Sequence, residues 1–249
     1  MKAGTLYLVA TPIGNLGDIS YRAVETLKNV SVIAAEDTRR TRQLCQRYEI
    51  TTPLVSLHEH NECSRAAELI ERMRNGESVA HVTDAGMPVV SDPGAILVEQ
   101  ARAAGILVTA VPGPSAVIAA LAISGFRGER FRFEGFPPRK PKALEAWLKK
   151  FSEEFADGSE SAQEAVPVVC FESPYRLKKT LQAIQKVLGE IPVSVAREMT
   201  KLHEEITCGS TSEVLARYTE TPPKGECTLI FLPLSRGEAR IKPRFMDTK

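Results

Sequence analysis

The chain has 249 residues, 43% hydrophobic and 25% charged, with 32 Lys and Arg against 31 Asp and Glu and a formal net charge of +1. That length and mixture exclude general disorder and allow one large domain or two smaller ones, each with its own core. A near-zero sum argues against a chain coated in cations, although it hides where the charges sit. The five cysteines (45, 63, 170, 208, 227) are too far apart for a C-x-x-C motif and read as free thiols in a reducing compartment. The apolar run ending at Ala10 is too brief for a signal peptide, and Pro112, Gly113 and Pro114 break the most apolar long window. A soluble cytoplasmic protein is the expectation.

In chain order, strands are expected at Thr5–Ala10, Val30–Ala35, Leu54–Leu57, Ser78–Thr83 and Ile106–Val111. Helical patterns separate them. Ser20 can cap a helix carrying Tyr21, Val24 and Leu27, and Ala66, Leu69, Ile70 and Met73 recur at helical spacing between an Asn61 cap and a Gly76 stop. A further helix runs from about Pro114 to Ser124. Such alternation predicts a mostly parallel sheet covered by helices. Residues 126–150 then hold eight Lys/Arg against three Glu, and Pro137–Lys142 reads as an extended linker. Residues 151–165 carry five acids and no base, which suggests an exposed acidic loop. Strands follow at Val166–Phe171, Pro192–Arg197, Glu204–Cys208 and Cys227–Leu232, with helices after Ser173-Pro174 and from about Ser212 to Tyr218. The simplest partition is α/β: a parallel-sheet domain over 1–124, a basic linker at 125–142, a mixed-sheet α/β domain over 143–234 and a basic tail at 235–249.

Open parallel sheets bind ligands outside the carboxyl ends of their strands, and the unusual residues fall there. Thr11-Pro12-Ile13-Gly14-Asn15 follows the first strand; it is neither a G-x-G-x-x-G nor a phosphate loop, and would also serve as a plain turn. Glu36-Asp37-Thr38-Arg39-Arg40 follows the second. There Asp37 or Thr38 can cap a helix, and the arginines can either be solvated or meet phosphate. His58-Glu59-His60-Asn61-Glu62 follows the third and offers a His-x-His pair, a polar substrate contact or a helix cap. The fourth loop, Thr83 to Gly94, packs Asp84, Ala85, Gly86, Met87 and Pro88 before Ser91-Asp92-Pro93-Gly94. Its small residues allow close approach to a ligand, and Asp84 and Asp92 can take hydroxyl or ammonium groups. Asp92-Pro93 also reads as a helix cap followed by Pro at the first helical position. Pro112-Gly113-Pro114-Ser115-Ala116 opens the fifth-strand helix, whose free N–H groups suit a polar ligand.

These loops, with Glu134-Gly135-Phe136, Phe171-Glu172-Ser173-Pro174-Tyr175-Arg176, Ala196-Arg197-Glu198-Met199-Thr200-Lys201 and Lys224-Gly225-Glu226, resemble the tetrapyrrole-methylase superfamily in order over about residues 5–233. Within it they are similar to the ribosomal RNA small-subunit methyltransferase I branch. The chain departs from the usual pattern at Met87, where Thr is commoner, and many members continue past the position of Lys249. The resemblance implies S-adenosylmethionine held in a cleft between two domains, and methylation of a cytidine ribose 2′-hydroxyl in the decoding region of 16S rRNA. It implies 16S rRNA or the small ribosomal subunit as partner, no membrane, no metal, and a homodimer. Carried over by motif, Pro12, Asp84, Ala85, Gly86, Met87, Pro88, Ser115, Ala116, Phe171, Ala196 and Thr228 line the cofactor. Asp37, His60 and Asp84 are candidates to take or orient the hydroxyl proton. Arg39, Arg40, Arg139, Lys140, Lys142, Arg176 and Lys201 are candidates for phosphate contact. Rival readings are methylation of a tetrapyrrole or diphthamide precursor, a non-catalytic ribosome-binding module built on 126–150, and a metal hydrolase built on His58 and His60.

Overall fold

A computed structural model describes residues 3–154, 165–221 and 223–233, and the chain divides into two units, Met1–Ser115 and Ala116–Lys249. The first unit contains β1 (Thr5–Val9), β2 (Val32–Ala35), β3 (Leu54–Ser56), β4 (Val79–Val82) and β5 (Leu107–Val111). All pair parallel, in the order β3-β2-β4-β1-β5. β2 and β4 are buried at every position because helices cover both faces of the sheet, so their sequences read as unbroken small and apolar runs. On β2, Ile33 and Ala35 pack with Leu27 of α1 (Tyr21–Asn29) and Leu44 of α2 (Thr38–Arg47). Val32 and Ala34 face the other way, toward Leu69 and Met73 of α3 (Glu62–Arg74) and Leu97 of α4 (Ala95–Ala103). Burying a leucine such as Leu27 or Leu69 completely contributes about 2 kcal/mol, so the two faces together hold the helices to the sheet.

Helix starts follow local chemistry. The Ser20 hydroxyl accepts the Ala23 N–H at 3.1 Å, as expected of a cap. Asn61 stands at the cap position of α3, but its side chain turns away, accepting the His58 N–H at 2.8 Å and donating to Ser56. Asp92-Pro93 does not open α4, contrary to the sequence expectation. Gly94 takes the cap position at φ +121°, and the following helix begins at Ala95.

The second unit starts with α5 (Ala116–Ile123), which packs on strands of that unit, so the boundary falls earlier than the expected 124/125. Its strands are β6 (Arg132–Phe133), β7 (Val168–Glu172), β8 (Pro192–Arg197), β9 (Glu205–Ser210) and β10 (Cys227–Phe231), in the order β6-β7-β10-β8-β9. β6 and β7 are parallel and the remaining pairs antiparallel. Cys170, Val193, Val195, Leu229 and Phe231 form one core with α6 (Pro141–Glu154), α7 (Pro174–Leu188) and α8 (Thr211–Glu220).

The expected linker at 125–142 is therefore not one. It contributes the edge strand β6 and the first residues of α6. The charge run masked a helical stripe, Leu144, Trp147, Leu148 and Phe151, whose spacing of three and four faces the core. The acidic loop expected over 151–165 begins instead as the last turn of α6; its residues 155–164, and the tail from 234 onward, lie outside the described residues.

Candidate active site

Five parallel strands bring their outgoing loops to one edge of the first sheet. Thr11, just past β1, and Gly86, past β4, exchange two backbone hydrogen bonds of 2.9 and 3.0 Å. The Thr11 hydroxyl also donates to the Thr83 carbonyl at 3.0 Å. Gly86 holds φ +90°, and a Cβ there would lie 3.6 Å from Ile13 and 3.7 Å from the Pro114 carbonyl. The loops after β1, β4 and β5 thus converge, bringing Pro12, Ala85, Gly86, Met87, Pro88 and Ser115 together. The rest of the fourth loop is strained: Val89 and Ser91 stand at φ +76° and +69°, where side chains rarely go.

Two groups hold that strained segment. The Glu62 carboxylate accepts the N–H groups of Gly94 and Ile96 at 2.9 and 2.8 Å, so it caps α4 from outside. This is the cap that Asp92 was expected to provide. His81, fully buried, lies 2.9 Å through Nε2 from the Pro93 carbonyl and 3.0 Å through Nδ1 from that of Ala34. Gly94 sits directly on this ring; a Cβ would come 2.4 Å from Nε2.

Asp92, which does not cap α4, is half-buried. The Thr83 hydroxyl donates to Glu36 at 2.6 Å, and the Asp84 N–H approaches the same oxygen at 3.2 Å. Asp84 in turn accepts the Asp37 N–H at 3.1 Å and lies 3.4 Å from the Arg40 guanidinium. Burial, then the neighbouring Glu36, pushes the Asp84 carboxyl upward against the pull of Arg40. Asp92 is pushed up to about 6, again by burial first, with Glu36 and Asp84 adding to it and the nearby Thr83 hydroxyl opposing. Asp37 goes the other way. Its carboxylate caps α2, and Arg39 grips it with two further hydrogen bonds, 3.1 and 2.7 Å, holding it well below the usual carboxylate range.

Of the three expected proton-handling groups, the structure joins Asp37 to Asp84 but leaves His60 exposed beyond the edge strand, its ring centroid 6.0 Å from that of His58. Among the described residues no three His, Cys, Asp or Glu side chains are grouped to hold a metal ion, and no helix is long and apolar enough to cross a membrane. Sequence reasoning passed over Glu36, Thr83 and Asp92 as a connected set. The available signal was their placement just past two neighbouring strands, β2 and β4.

In the second unit, β7 and β8 both run antiparallel to β10, so their carboxyl ends share one edge. Thr228 pairs with Phe171 on one side and Ala196 on the other, placing three expected cofactor residues in one cross-strand row. Phe171 is flanked by the rings of Phe133 and Phe136, with centroids 5.1 and 5.5 Å away. Ala116, the remaining expected cofactor residue, opens α5.

Two of the expected phosphate ligands are committed inside this unit. Arg176 donates to the Pro137 and Pro138 carbonyls at 3.0 Å and lies 3.5 Å from the buried Glu172, which also receives the Thr180 hydroxyl. The Lys201 ammonium sits between Glu198 and Glu226 at 2.8 and 2.9 Å. Burial works against its charge, but the two carboxylates outweigh it and raise the Lys201 pKa. Glu198 and Thr200 stand at φ +50° and +66°, and Gly225 is needed because a Cβ would lie 2.1 Å from the Glu198 carboxyl carbon. Arg39 is paired with Asp37, and Arg40 lies near Asp84. Arg139, Lys140 and Lys142 are exposed at the start of α6.

The family profile described as Tetrapyrrole (Corrin/Porphyrin) Methylases matches residues 5–215. A Thermotoga maritima protein named ribosomal RNA small subunit methyltransferase I is 46% identical over 91% of this chain and 97% of its own length. A Bacillus subtilis protein of the same name is 45% identical over 98% of this chain and 80% of its own. The chain belongs to the ribosomal RNA small subunit methyltransferase I branch of the tetrapyrrole methylases. Solved structures share its fold at low identity. A uroporphyrin-III-C-methyltransferase from Thermus thermophilus aligns with TM-score 0.60 at 20% identity, covering 92% of this chain and 94% of that one. A diphthine synthase aligns with TM-score 0.66 at 13% identity, covering 92% and 89%.

Proposed function

We propose that this methyltransferase modifies the ribose 2′-hydroxyl of a cytidine in the decoding region of 16S rRNA, using S-adenosylmethionine, as a cytoplasmic homodimer. One observation carries the reading: 45–46% identity across nine-tenths or more of the chain to relatives named for small-subunit ribosomal RNA methylation. Tetrapyrrole and diphthamide chemistry is disfavoured because its representatives share only 20% and 13% identity.

The residues present suit the cofactor. Within the first unit, close backbone approach at Gly86 and the carboxylates of Asp84 and Asp92 offer a small-residue surface with acceptors for hydroxyl and ammonium groups; within the second, taken by itself, Phe171, Thr228 and Ala196 form a row with an aromatic edge. When bound, S-adenosylmethionine supplies a methyl group activated on a sulfonium. The protein must orient the accepting oxygen and take its proton. Asp84 suits that task better than Asp37, whose carboxylate is committed to Arg39 and the α2 cap. His60 stands outside the connected set. The test is incubation of the protein with methyl-labelled S-adenosylmethionine and small subunits lacking the modification. Label in 16S rRNA is expected; label in ribosomal protein only, or none in subunits and naked rRNA alike, overturns the reading.

A further inference from the structure

We propose that Tyr175, with Lys178 and Lys179 on its own helix face and Arg139, Lys140 and Lys142 beside it, is a stacking platform for a single-stranded nucleotide of the RNA substrate. The inference rests on the proposed RNA substrate and extends it to Tyr175, which is not among the expected cofactor residues. Tyr175 lies in the first turn of α7 with 91% of its surface exposed. A phenol ring so placed is not serving the core, which Leu177, Leu181 and Ile184 of the same helix already fill. Lys178 and Lys179 follow at three and four residues and share its face, both exposed.

The second strand of the platform is anchored by Arg176. Its hydrogen bonds to the Pro137 and Pro138 carbonyls tie the start of α7 to the segment that leads into α6. Residues 136–142 and 173–179 together contain six Lys and Arg and no acid, in a chain whose totals, these six included, are 32 basic to 31 acidic. Arg176 is consumed internally; the other five are exposed. An exposed aromatic face with exposed cations on its own helix and on the segment tied to it matches an unpaired nucleotide, whose base stacks while its phosphates meet the lysines. A hydrophobic protein partner would leave those cations without counter-charges.

The test compares wild type with Tyr175→Ala, Tyr175→Trp and the double variant Lys178→Glu/Lys179→Glu. Binding is measured to a decoding-region RNA hairpin at several salt concentrations, with S-adenosylmethionine affinity by calorimetry and oligomeric state by light scattering. Tyr175→Ala should weaken RNA binding roughly 5- to 150-fold with its salt slope unchanged, and Tyr175→Trp should restore it. The lysine double variant should flatten the salt slope by about 1 to 2. Cofactor affinity and oligomeric state should not move. Wild-type binding that Tyr175→Ala leaves intact overturns the platform alone, as does a change of oligomeric state with RNA affinity preserved. A wild-type protein that binds no RNA overturns both the platform and the proposed substrate.

Discussion

The carboxyl edge of the first sheet and the matching edge of the second are equally dense in motif residues, yet they use them differently. In the first unit the loops are shaped by backbone pairing, as between Thr11 and Gly86, and by Glu62 capping α4 from the first turn of α3. Asp84 and Asp92 there are carboxyls whose pKa values burial and neighbouring acids raise. In the second unit charges cancel one another: Glu172 with Arg176, and Glu198 and Glu226 with Lys201. What remains there for contact is a row of uncharged side chains and, outside it, a cluster of exposed cations. A motif residue can therefore be a brace for its own loop, as Glu62 and Lys201 are.

The largest test of this contrast is at two glycines. Gly94→Ala should cost about 3 kcal/mol or more in chemical denaturation, because φ +121° and a 2.4 Å approach to a fully buried His81, wedged between two backbone carbonyls, leave nothing to move. Gly225→Ala should cost less, about 1–2 kcal/mol, since the Glu198 side chain can swing toward solvent. Equal losses would break the comparison. Glu62→Ala should follow at about 2 kcal/mol by stranding two buried-end N–H groups of α4, with Glu62→Gln recovering part of it.

Much of the fold was legible in the sequence. Among the described residues, nine of the ten strands announced themselves through apolar runs closed by turn residues. The tenth, Arg132–Phe133, is too short for any pattern, and α6 was obscured because its charged face dominated the count over its apolar stripe. The converging loops were legible too, since parallel topology alone sends them to one edge. What escaped is long-range pairing. Nothing local reveals that Glu62 reaches Gly94 across 32 positions, or that Lys201 is neutralised by Glu226.

Smaller effects sharpen the same contrast. Lys140→Ala should lower the salt slope of RNA binding by about 1, whereas Lys201→Ala should leave it unchanged and destabilise the fold by about 1 kcal/mol through the unpaired Glu198. Asp92→Asn should alter the pH dependence of stability. A carboxyl whose native pKa is raised to about 6 gives stability that is complete below its unfolded value and is lost as pH rises through 6. Discounted for its partial exposure, that loss is about 1 kcal/mol by pH 7.5, and the asparagine variant should not show it.

The central claim is the proposed one, methylation of a ribose oxygen of 16S rRNA. Its most direct measurement is nucleoside analysis of 16S rRNA after transfer of a labelled methyl group by the wild-type protein. The account predicts label in 2′-O-methylcytidine from the decoding region; label on a base carbon or nitrogen, or in another nucleoside, would contradict it.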